Sequence, residues 1–371
     1  MDQHIETIVV GGGQAGLSVG YHLARRRRPF VILDDRARTG DNWRRHWDTL
    51  RLYSPACYDG LPGMRFPGPG RAFPTKDEVA DYLEAYAARF ELPVEHGVRV
   101  TALSGDGDGY VLDCGDRRFT ADNVVVATGT FGTRAYVPAF AGELDPAIAQ
   151  LHSTDYHRPD QLPPGPVLVV GASHSGADIA VEAAREHHTI LSGRTNGQLP
   201  VPLESRRARA AFPVLWFLAR RVLTLRTPIG RKLRPEIRTH GGPLLRVQSD
   251  DLAAAGVERA TERVAGVRDG RPVLDGGRVL DVASVVWCTG FRQDFGWVKL
   301  PVLGDDGWPL EERGVVPSSP GLYFTGLAFQ SAFASMLVGG AGADAEYVAR
   351  HLAAAHPVRA ARTPRPSAPG R

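Results

Sequence analysis

Two segments of the chain show the same order of hydrophobic and polar positions: an apolar run, a glycine-rich turn and an amphipathic run. The first, IETIVVGGGQAGLSVGYHLARR, predicts a buried strand over Ile5–Val10 and a helix that ends near Arg27. The second, PVLVVGASHSGADIAVEAARE, predicts a strand over Val167–Val170 and a helix that ends near Glu186. A buried strand joined to a helix by such a turn is the opening unit of a doubly wound fold. The repeat therefore predicts an α/β protein with two Rossmann-like dinucleotide-binding domains.

The first turn has the spacing G-x-G-x-x-G, beginning at Gly11. In this spacing the first glycine permits a tight bend, the second lets a pyrophosphate approach the backbone, and the third lets the helix pack on the strand. The helix N-terminus offers free N–H groups to the phosphates. A second apolar run, FVILDD, ends in two acids, and a carboxylate at this distance binds a ribose hydroxyl. The residues expected at the first dinucleotide are Gly11, Gly13, Gln14, Ala15, Gly16, Asp34 and Asp35.

The second turn keeps two of the three glycines and has Ser173 in the middle, a residue small enough to let a phosphate approach. Arg194 lies 23 residues after the start of this turn, the same offset at which Asp34 follows the first turn. An acid there binds a ribose hydroxyl, whereas an arginine neutralises a 2′-phosphate, so the second unit predicts NADPH. If Arg194 is only an exposed residue of a strand-end turn, NADH would serve as well. The residues expected at this cofactor are Gly171, Ser173, His174, Ser175, Gly176, Arg194 and Thr195.

A helix is also predicted within FPTKDEVADYLEAYAARF, residues 73–90. Thr75 and Glu78 have the spacing of a capping box, which marks the start of the helix. The apolar positions then recur every three or four residues, so this face is expected to lie in the core. That face consists of Val79, Tyr82, Leu83, Tyr86 and Phe90.

Composition excludes several classes of protein. The formal net charge is +3, from 44 basic and 41 acidic residues, which is too balanced to indicate a nucleic-acid partner. Cys57, Cys114 and Cys288 are far apart, so neither a CxxC redox pair nor a metal site is expected, and a reducing cytoplasm fits. The N-terminal sequence does not have the pattern of a signal peptide. The longest apolar stretch, 212–225, contains two arginines and is too short to span a bilayer.

Two dinucleotide units in one chain imply that reducing equivalents pass between two bound cofactors, and a flavin with a nicotinamide is the pair we expect. Four further segments support this: RTGDNWRRHWDTLRLYSP at 38–55, VVVATGTF at 124–131, VVWCTGF at 285–291 and the segment beginning PGLYFTGLAFQSAF at 320. With the glycine turns, they make the chain resemble the single-component flavin-containing monooxygenases. This family includes the plant YUCCA-type enzymes and short bacterial flavoproteins, and the resemblance runs to about residue 356.

The resemblance extends the two sets of cofactor residues. Tyr53 stands where animal-type members have an asparagine near the flavin, so the role of that asparagine is not carried over. The additional FAD residues it implies are Gly40, Asn42, Trp43, Arg44, Tyr53, Ala127, Thr128, Gly129, Thr325, Gly326, Leu327 and Gln330. At NADPH it adds Thr289 and Gly290.

The resemblance also implies a domain plan. An FAD domain of 1–157 plus 283–371 would be interrupted by an NADPH domain of 158–282, the arrangement of glutathione-reductase-like folds. Residues 357–371 are expected to be disordered. Residues 200–243 exceed a minimal Rossmann unit and are interpreted as a lid, a dimer contact or a membrane-surface helix, or else as an amphipathic helix packed on its own domain.

The function implied by the resemblance is that of an NADPH-dependent FAD monooxygenase. NADPH would reduce FAD, reduced flavin would take up O2 as a C4a-hydroperoxyflavin, and a small sulfur, nitrogen or carbonyl substrate would take the distal oxygen. Because the cofactor supplies this chemistry, no catalytic side chain is nominated. An NAD(P)H-dependent flavoprotein reductase or oxidase without oxygen insertion is the alternative, and a homodimer is left open.

Overall fold

The computed structural model describes residues 3–105, 107, 109–130 and 134–355, so the predicted disordered tail at 357–371 lies outside the described residues. The helices are α1 (Gln14–Arg25), α2 (Asp41–Arg44), α3 (Lys76–Arg89), α4 (His174–Ala183), α5 (Arg206–Phe217), α6 (Pro228–Thr239), α7 (Ser249–Ala254) and α8 (Ala341–Ala355). The strands are β1 (Gln3–Val10), β2 (Phe30–Asp34), β3 (Val94–His96), β4 (Ala102–Gly105), β5 (Tyr110–Cys114), β6 (Arg117–Val126), β7 (Arg134–Ala135), β8 (Ala149–His152), β9 (Val167–Val170), β10 (Thr189–Ser192), β11 (Glu258–Ala260), β12 (Val264–Arg268), β13 (Arg271–Leu274), β14 (Ser284–Trp287), β15 (Phe291–Arg292) and β16 (Leu322–Phe324).

The first sheet has the order β3-β2-β1-β6-β5-β4, and β16 also pairs with β6. The pairs are parallel except those of β5 with β4 and β6. Successive side chains of a strand point to opposite faces. Ile8 of β1 accordingly joins the core that contains Phe324, while Val9 joins the core formed with α1, α3 and α8. Burial on both faces explains the continuous apolar run of β1.

The second sheet has the order β11-β10-β9-β14-β8 and is parallel throughout. β9 is fully buried along its length, and α4 packs on it with an apolar face that includes Ile179. The two predicted βα units are therefore both present, one in each sheet. This confirms the predicted α/β fold with two Rossmann-like units.

Hydrogen bonding changes the predicted boundary between the domains. The boundaries at 157 and 283 put β8 and β14 with the first domain, yet both strands pair within the second sheet. The reason is that β14 pairs with β9 in the same way as β6 pairs with β1. The strand before A-T-G therefore lies beside the first glycine turn, and the strand before C-T-G lies beside the second. The antiparallel pair β7–β15 follows these two strands. We therefore propose the domain crossing at β7–β15.

The capping box at α3 is confirmed. The Thr75 hydroxyl accepts from the Glu78 N–H at 3.2 Å, and the Glu78 carboxylate accepts from the Thr75 N–H at 2.7 Å. The predicted core face of this helix is buried from Val79 to Tyr86, and Phe90 lies just beyond the helix end, packed against the same core.

The segment within 200–243 crosses to the first domain. After α5 the chain makes a π-helical turn over Leu218–Val222, and the Leu225 N–H then donates to the Ser331 carbonyl at 3.0 Å. Arg234 of α6 pairs with the buried Glu311 at 2.8 Å. The helices of this segment therefore pack on the first domain and not only on the second domain, to which they were assigned.

Candidate dinucleotide sites

The first glycine turn is held by backbone contacts that leave no room for side chains. Gly11 has a φ of +110°, and its N–H donates to the carbonyl of Leu33 at the end of β2, at 2.8 Å. A Cβ on Gly16 would overlap the Gly11 carbonyl oxygen, so only glycine lets α1 approach β1 this closely. A Cβ on Gly13, by contrast, would meet nothing within 4 Å. The space beside Gly13 is open and is where a pyrophosphate is expected.

Asp34 closes the same turn from β2. Its carboxylate accepts from the Gly12 N–H at 2.5 Å and from the Arg36 N–H at 2.8 Å, while remaining partly exposed. It therefore stands beside the glycine turn, in the position predicted for a ribose ligand. Asp35 points elsewhere and pairs with Arg36 at 3.3 Å and Arg99 at 3.1 Å.

The second glycine turn repeats this backbone geometry. Gly171 has a φ of +109° and donates to the Ser192 carbonyl of β10 at 2.9 Å, and a Cβ on Gly176 would overlap the Gly171 carbonyl. The middle position differs, because the Ser173 hydroxyl donates to the Gly242 carbonyl at 2.8 Å. The loop at 241–242 thus lies against the second turn, and the corresponding place in the first turn is open. His174 and Ser175, which were predicted at the nicotinamide cofactor, are the first two residues of α4.

The strand register corrects the equivalence between Arg194 and Asp34. Val10 pairs with Leu33, and Val170 pairs with Ser192, so the position that corresponds to Asp34 is Gly193. The connection between the turn and the next strand is one residue shorter in the second unit, which offsets the count along the sequence. Gly193 occupies the ribose position there, and Arg194 and Thr195 follow it as exposed residues.

Two segments converge on the first turn from the carboxyl ends of neighbouring strands. Ala127, Thr128 and Gly129 follow β6. Thr325 follows β16, and its N–H donates to the Val126 carbonyl of β6 at 2.9 Å, which continues the pairing of these two strands. A Cβ on Gly326 would lie 2.7 Å from the Cβ of Ala15. The predicted FAD residues of three separate segments therefore meet at one edge of the sheet.

Gln330 supports this edge from within. It is fully buried, its side-chain nitrogen donates to the Phe324 carbonyl at 2.8 Å, and its oxygen faces the Leu327 N–H at 3.4 Å. These contacts give Gln330 the role of shaping the loop that was predicted to line the flavin.

The residues of the 38–55 segment divide into two groups. Gly40 has a φ of +89°, and a Cβ there would lie 2.5 Å from the Ala80 carbonyl oxygen, so it serves the packing of α2 on α3. Arg44 is bonded to Asp41, Asp81 and Glu84 at 2.9–3.1 Å, which gives it a structural role that the sequence did not predict. Asn42 and Trp43 remain partly exposed beside them.

Thr289 and Gly290 are placed at the domain crossing. The Thr289 hydroxyl donates to the Tyr136 carbonyl, and the Gly290 carbonyl accepts from the Tyr136 N–H at 2.9 Å. Nε2 of His152 lies 3.1 Å from the same carbonyl. The side chain of Thr289 is thus used within the protein, while the α-carbon of Gly290 faces open space.

The arrangement fits a flavin dinucleotide at the first turn. Within the described residues, three of the predicted FAD side chains have a buried polar atom without a hydrogen-bond partner: Trp43 Nε1, Thr128 Oγ1 and Thr325 Oγ1. Buried polar groups are rarely left unpaired, so these atoms are consistent with a polar ligand that they would contact. The open space beside Gly13 lies at the same edge.

Sequence reasoning missed a buried polar cluster between the two domains. The Tyr53 hydroxyl donates to Asp178 of α4 at 2.8 Å, and the Tyr53 ring lies against His174 with centroids 5.0 Å apart. Arg246 reaches from the second domain to the Leu52 carbonyl at 2.7 Å and lies 3.9 Å from Asp178. An acid within the apolar run of α4 was the only signal in the sequence.

Burial sets the charge states in this cluster. It raises the pKa of Asp178 to about 6, against a partial lowering by the Tyr53 hydrogen bond and by Arg246. It lowers the pKa of His174 to about 4, so this imidazole is neutral at pH 7. Burial and the Asp178 charge raise the pKa of Tyr53 well above its usual value.

Two glycine turns, each at the carboxyl ends of parallel strands in its own sheet, define a class of oxidoreductases that bind two dinucleotides. A family model for pyridine nucleotide-disulphide oxidoreductase matches residues 8–198. The chain belongs to this family. Within the described residues no group of His, Cys, Asp and Glu side chains could hold a metal ion, and no helix is long and apolar enough to cross a membrane.

Three relatives narrow the branch. The uncharacterized oxidoreductase CzcO-like of Geobacillus kaustophilus (strain HTA426) is 37% identical over 352 residues, covering 93% of this chain and 98% of that protein. The probable indole-3-pyruvate monooxygenase YUCCA7 of Arabidopsis thaliana is 28% identical over 389 residues, covering 93% and 87%. A flavin monooxygenase from Stenotrophomonas maltophilia with Gln-to-Arg and His-to-Thr substitutions superposes with a TM-score of 0.79 at 29% identity, covering 95% and 99%. The chain is therefore an oxidoreductase of the flavin-dependent monooxygenase type.

Proposed function

We propose that this enzyme uses FAD at the first glycine turn and NADPH at the second to insert one oxygen atom of O2 into a small molecule. The substrate is a compound with a nucleophilic sulfur or nitrogen, or a carbonyl. When bound, the flavin supplies hydride acceptance and reaction with O2, and the expectation of a C4a-hydroperoxyflavin belongs to this proposal.

The difference between the two turns carries the assignment of the cofactors. Asp34 presents a carboxylate beside the first turn, which suits a ribose hydroxyl and repels a 2′-phosphate. The second turn has Gly193 in that position and Arg194 next to it. Within the described residues Arg194 forms no salt bridge, so its charge is available to a phosphate.

Arg194 and Thr195 form an exposed pair at the second turn. The present chain has an Arg-Thr pair directly after the β10 strand and the glycine that follows it. We infer that this pair faces the adenosine end of the nicotinamide cofactor.

In the proposed reaction, the residues of this chain bind the cofactors and orient them. The open backbone at Gly13 and the N-terminus of α1 would hold the FAD pyrophosphate, and Thr128 and Thr325 offer unpaired hydroxyls at the same edge. Tyr53 and Asp178 fix the two domains against each other between the turns. No paired acid and base is assigned to the protein in this reaction, because the flavin supplies its chemistry.

One experiment separates the proposed monooxygenase from a reductase or oxidase. The FAD-loaded protein is reduced with NADPH without oxygen and then mixed with O2 in a stopped-flow spectrometer, with and without a thioether or amine. The proposal predicts a long-lived near-ultraviolet absorbance band and an oxygenated product. Immediate reoxidation with stoichiometric peroxide and no product would instead establish the NAD(P)H-dependent reductase or oxidase.

The cellular setting is also part of the proposal. Cys57, Cys114 and Cys288 are free thiols, which suits the reducing cytoplasm. A homodimer remains a prediction, and sedimentation velocity measures it directly.

A further inference from the structure

An apolar surface with arginines at both ends lies on α5 and the π-helical turn that follows it, residues 206–221. We call it the α5 surface. Eight large hydrophobic side chains are exposed in the described part of the chain, and four of them lie within five residues here. Their exposed fractions are 59% for Val214, 48% for Leu215, 59% for Phe217 and 37% for Leu218. Exposed apolar clusters of this kind mark interaction sites.

Eight of the exposed residues from Arg206 to Leu218 form two adjacent rows along the helix. Steps of four, three and four residues keep each row on one side of an α-helix. One row is Arg207, Ala211, Val214 and Leu218, and the other is Arg206, Ala210, Pro213 and Phe217. All eight residues are exposed, each row begins with an arginine, and the exposed Arg220 and Arg221 follow in the π-helical turn.

The opposite side of the helix already supplies the contacts that hold it in place. Ala208 and Phe212 are buried, and the Phe212 ring stacks on Tyr58 with centroids 5.3 Å apart. Phe212 also meets the edge of Phe73. The outward apolar residues are therefore not needed to anchor α5, and their exposure to water is unfavourable.

The charge of the segment that contains this surface is almost entirely positive. Between 206 and 238 the sequence has ten basic residues and one acid, Glu236. The exposed basic residues are Arg206, Arg207, Arg209, Arg220, Arg221, Arg226, Arg231 and Lys232. Within the described residues none of these eight forms a salt bridge. This segment therefore presents eight exposed cations without an acidic partner among the described residues.

This combination selects one occupant. A second copy of the chain, related by a two-fold axis, would place the same unpaired arginines opposite each other. A nucleic acid would use the cations but leave the apolar centre exposed. A bilayer with anionic lipid satisfies both features, because the cations meet the headgroups and the apolar residues enter the acyl boundary. We propose that the α5 surface docks the protein peripherally on an anionic bilayer.

The docked face lies next to the segment that the proposed function assigns to the flavin. Directly after the α5 surface, Leu223 accepts from the Phe333 N–H at 2.8 Å and Leu225 donates to Ser331. Docking would bring that end of the molecule to the membrane surface. The docking proposal itself does not depend on any cofactor and stands if the proposed function fails.

Vesicle co-sedimentation of the full chain tests the proposal. We expect binding to vesicles of phosphatidylcholine with phosphatidylglycerol that is about ten-fold stronger than binding to phosphatidylcholine alone, and that weakens with salt. Two double variants, Val214→Ser with Phe217→Ser and Arg220→Gln with Arg221→Gln, should each reduce binding roughly ten-fold.

Matched controls change exposed apolar and exposed cationic residues elsewhere in the chain. Val279→Ser with Leu310→Ser alters side chains that are 38% and 55% exposed, and Arg263→Gln with Arg268→Gln removes two exposed cations. Both controls should bind as the unchanged chain does. The proposal is overturned if the chain does not bind the anionic vesicles, or if the α5 variants bind as the controls do. It is also overturned if the chain sediments as a dimer that the Val214 and Phe217 changes convert to a monomer, because a second copy would then cover the surface.

Discussion

The two glycine turns are alike in backbone and different in side chains. Gly11 and Gly171 have φ values of +110° and +109°, and each donates to the carbonyl at the end of the neighbouring strand. Gly16 and Gly176 each lie where a Cβ would overlap that first glycine's carbonyl. The shared features are therefore the requirements of the strand–helix packing and say nothing about the ligand.

The differences lie at positions where the strand–helix packing does not require a particular residue. Gly13 has open space beside it, whereas Ser173 bonds to the 241–242 loop. Asp34 corresponds to Gly193 by strand register. Seven residues after the first glycine, α1 has Ser18, bonded within its own helix, and α4 has the buried Asp178. The two turns therefore differ at residues that the strand–helix packing leaves free, and we propose that ligand choice and domain coupling depend on these residues.

The largest expected effect separates the packing glycines from the ligand glycine. Gly16→Ala and Gly176→Ala should each destabilise the protein by about 3 kcal/mol or more, because the new methyl overlaps backbone that cannot move cheaply. Gly13→Ala meets no protein atom, so its stability without cofactor should stay within about 0.5 kcal/mol. Its affinity for FAD should nevertheless fall at least roughly ten-fold. Urea unfolding and FAD titration measure both, and a Gly13→Ala variant that keeps its FAD affinity contradicts the account.

The second-largest effect concerns Asp178, the buried acid of α4 that has Ser18 in its place in α1. Burial raises the pKa of Asp178 from 3.8 to about 6, so the folded state binds its proton more tightly than the unfolded chain does. Its contribution to stability is therefore present below pH 4 and is lost as the pH rises through 6. The loss amounts to about 3 kcal/mol for a shift of about two pKa units.

Asp178→Asn removes this titration and retains an acceptor for Tyr53. Its free energy of unfolding relative to the unchanged protein should rise by up to about 3 kcal/mol between pH 4 and pH 7. Tyr53→Phe serves as the control, because it removes the hydrogen bond and keeps the acid, and it should make the pH dependence steeper. Parallel stability curves for Asp178→Asn and the unchanged protein between these pH values would show that Asp178 does not titrate there.

A smaller effect is expected at the exposed arginine of the second turn. Arg194→Ala should raise KM for NADPH about ten-fold and leave KM for NADH nearly unchanged, because only NADPH has the 2′-phosphate. Arg268→Ala removes an exposed cation at the end of β12 and should change neither value. Equal changes for both coenzymes would mean that Arg194 does not meet the phosphate.

The smallest effect is expected from a substitution that makes the second turn resemble the first. Ser173→Gly removes the hydrogen bond to Gly242, whose net contribution is about 1 kcal/mol. KM should change for NADPH and NADH in the same direction and by no more than about five-fold, since the ribose end is untouched. Steady-state kinetics with both coenzymes checks this, and a change confined to one coenzyme would contradict it.

Local patterns allowed much of the fold to be predicted. The glycine spacings, the apolar runs of β1 and β9 and the capping box at Thr75 are signals within a few residues of each other, and each was confirmed. Contacts between distant residues had no such signal. The pairing of β8 with β14 joins residues more than a hundred positions apart, and Asp178 meets Tyr53 across the domain boundary.

The position of Arg194 illustrates the same limit at close range. Counting from the glycine turn matched it to Asp34, but the second unit has a connection that is one residue shorter, and register then matches Gly193. Strand pairing, which depends on the whole sheet, identifies Gly193 as the residue equivalent to Asp34, whereas the spacing alone indicated Arg194. Arg44 was likewise assigned to a cofactor by resemblance, and its carboxylate partners on α3 were visible only in three dimensions.

Anaerobic mixing of the purified, FAD-supplemented protein with NADPH tests the central claim that two different dinucleotides bind to one chain. We predict that the protein takes up one FAD, and that NADPH bleaches the visible flavin band faster than an equal concentration of NADH does. A protein that takes up no FAD, or whose bound FAD neither coenzyme reduces, would contradict the claim.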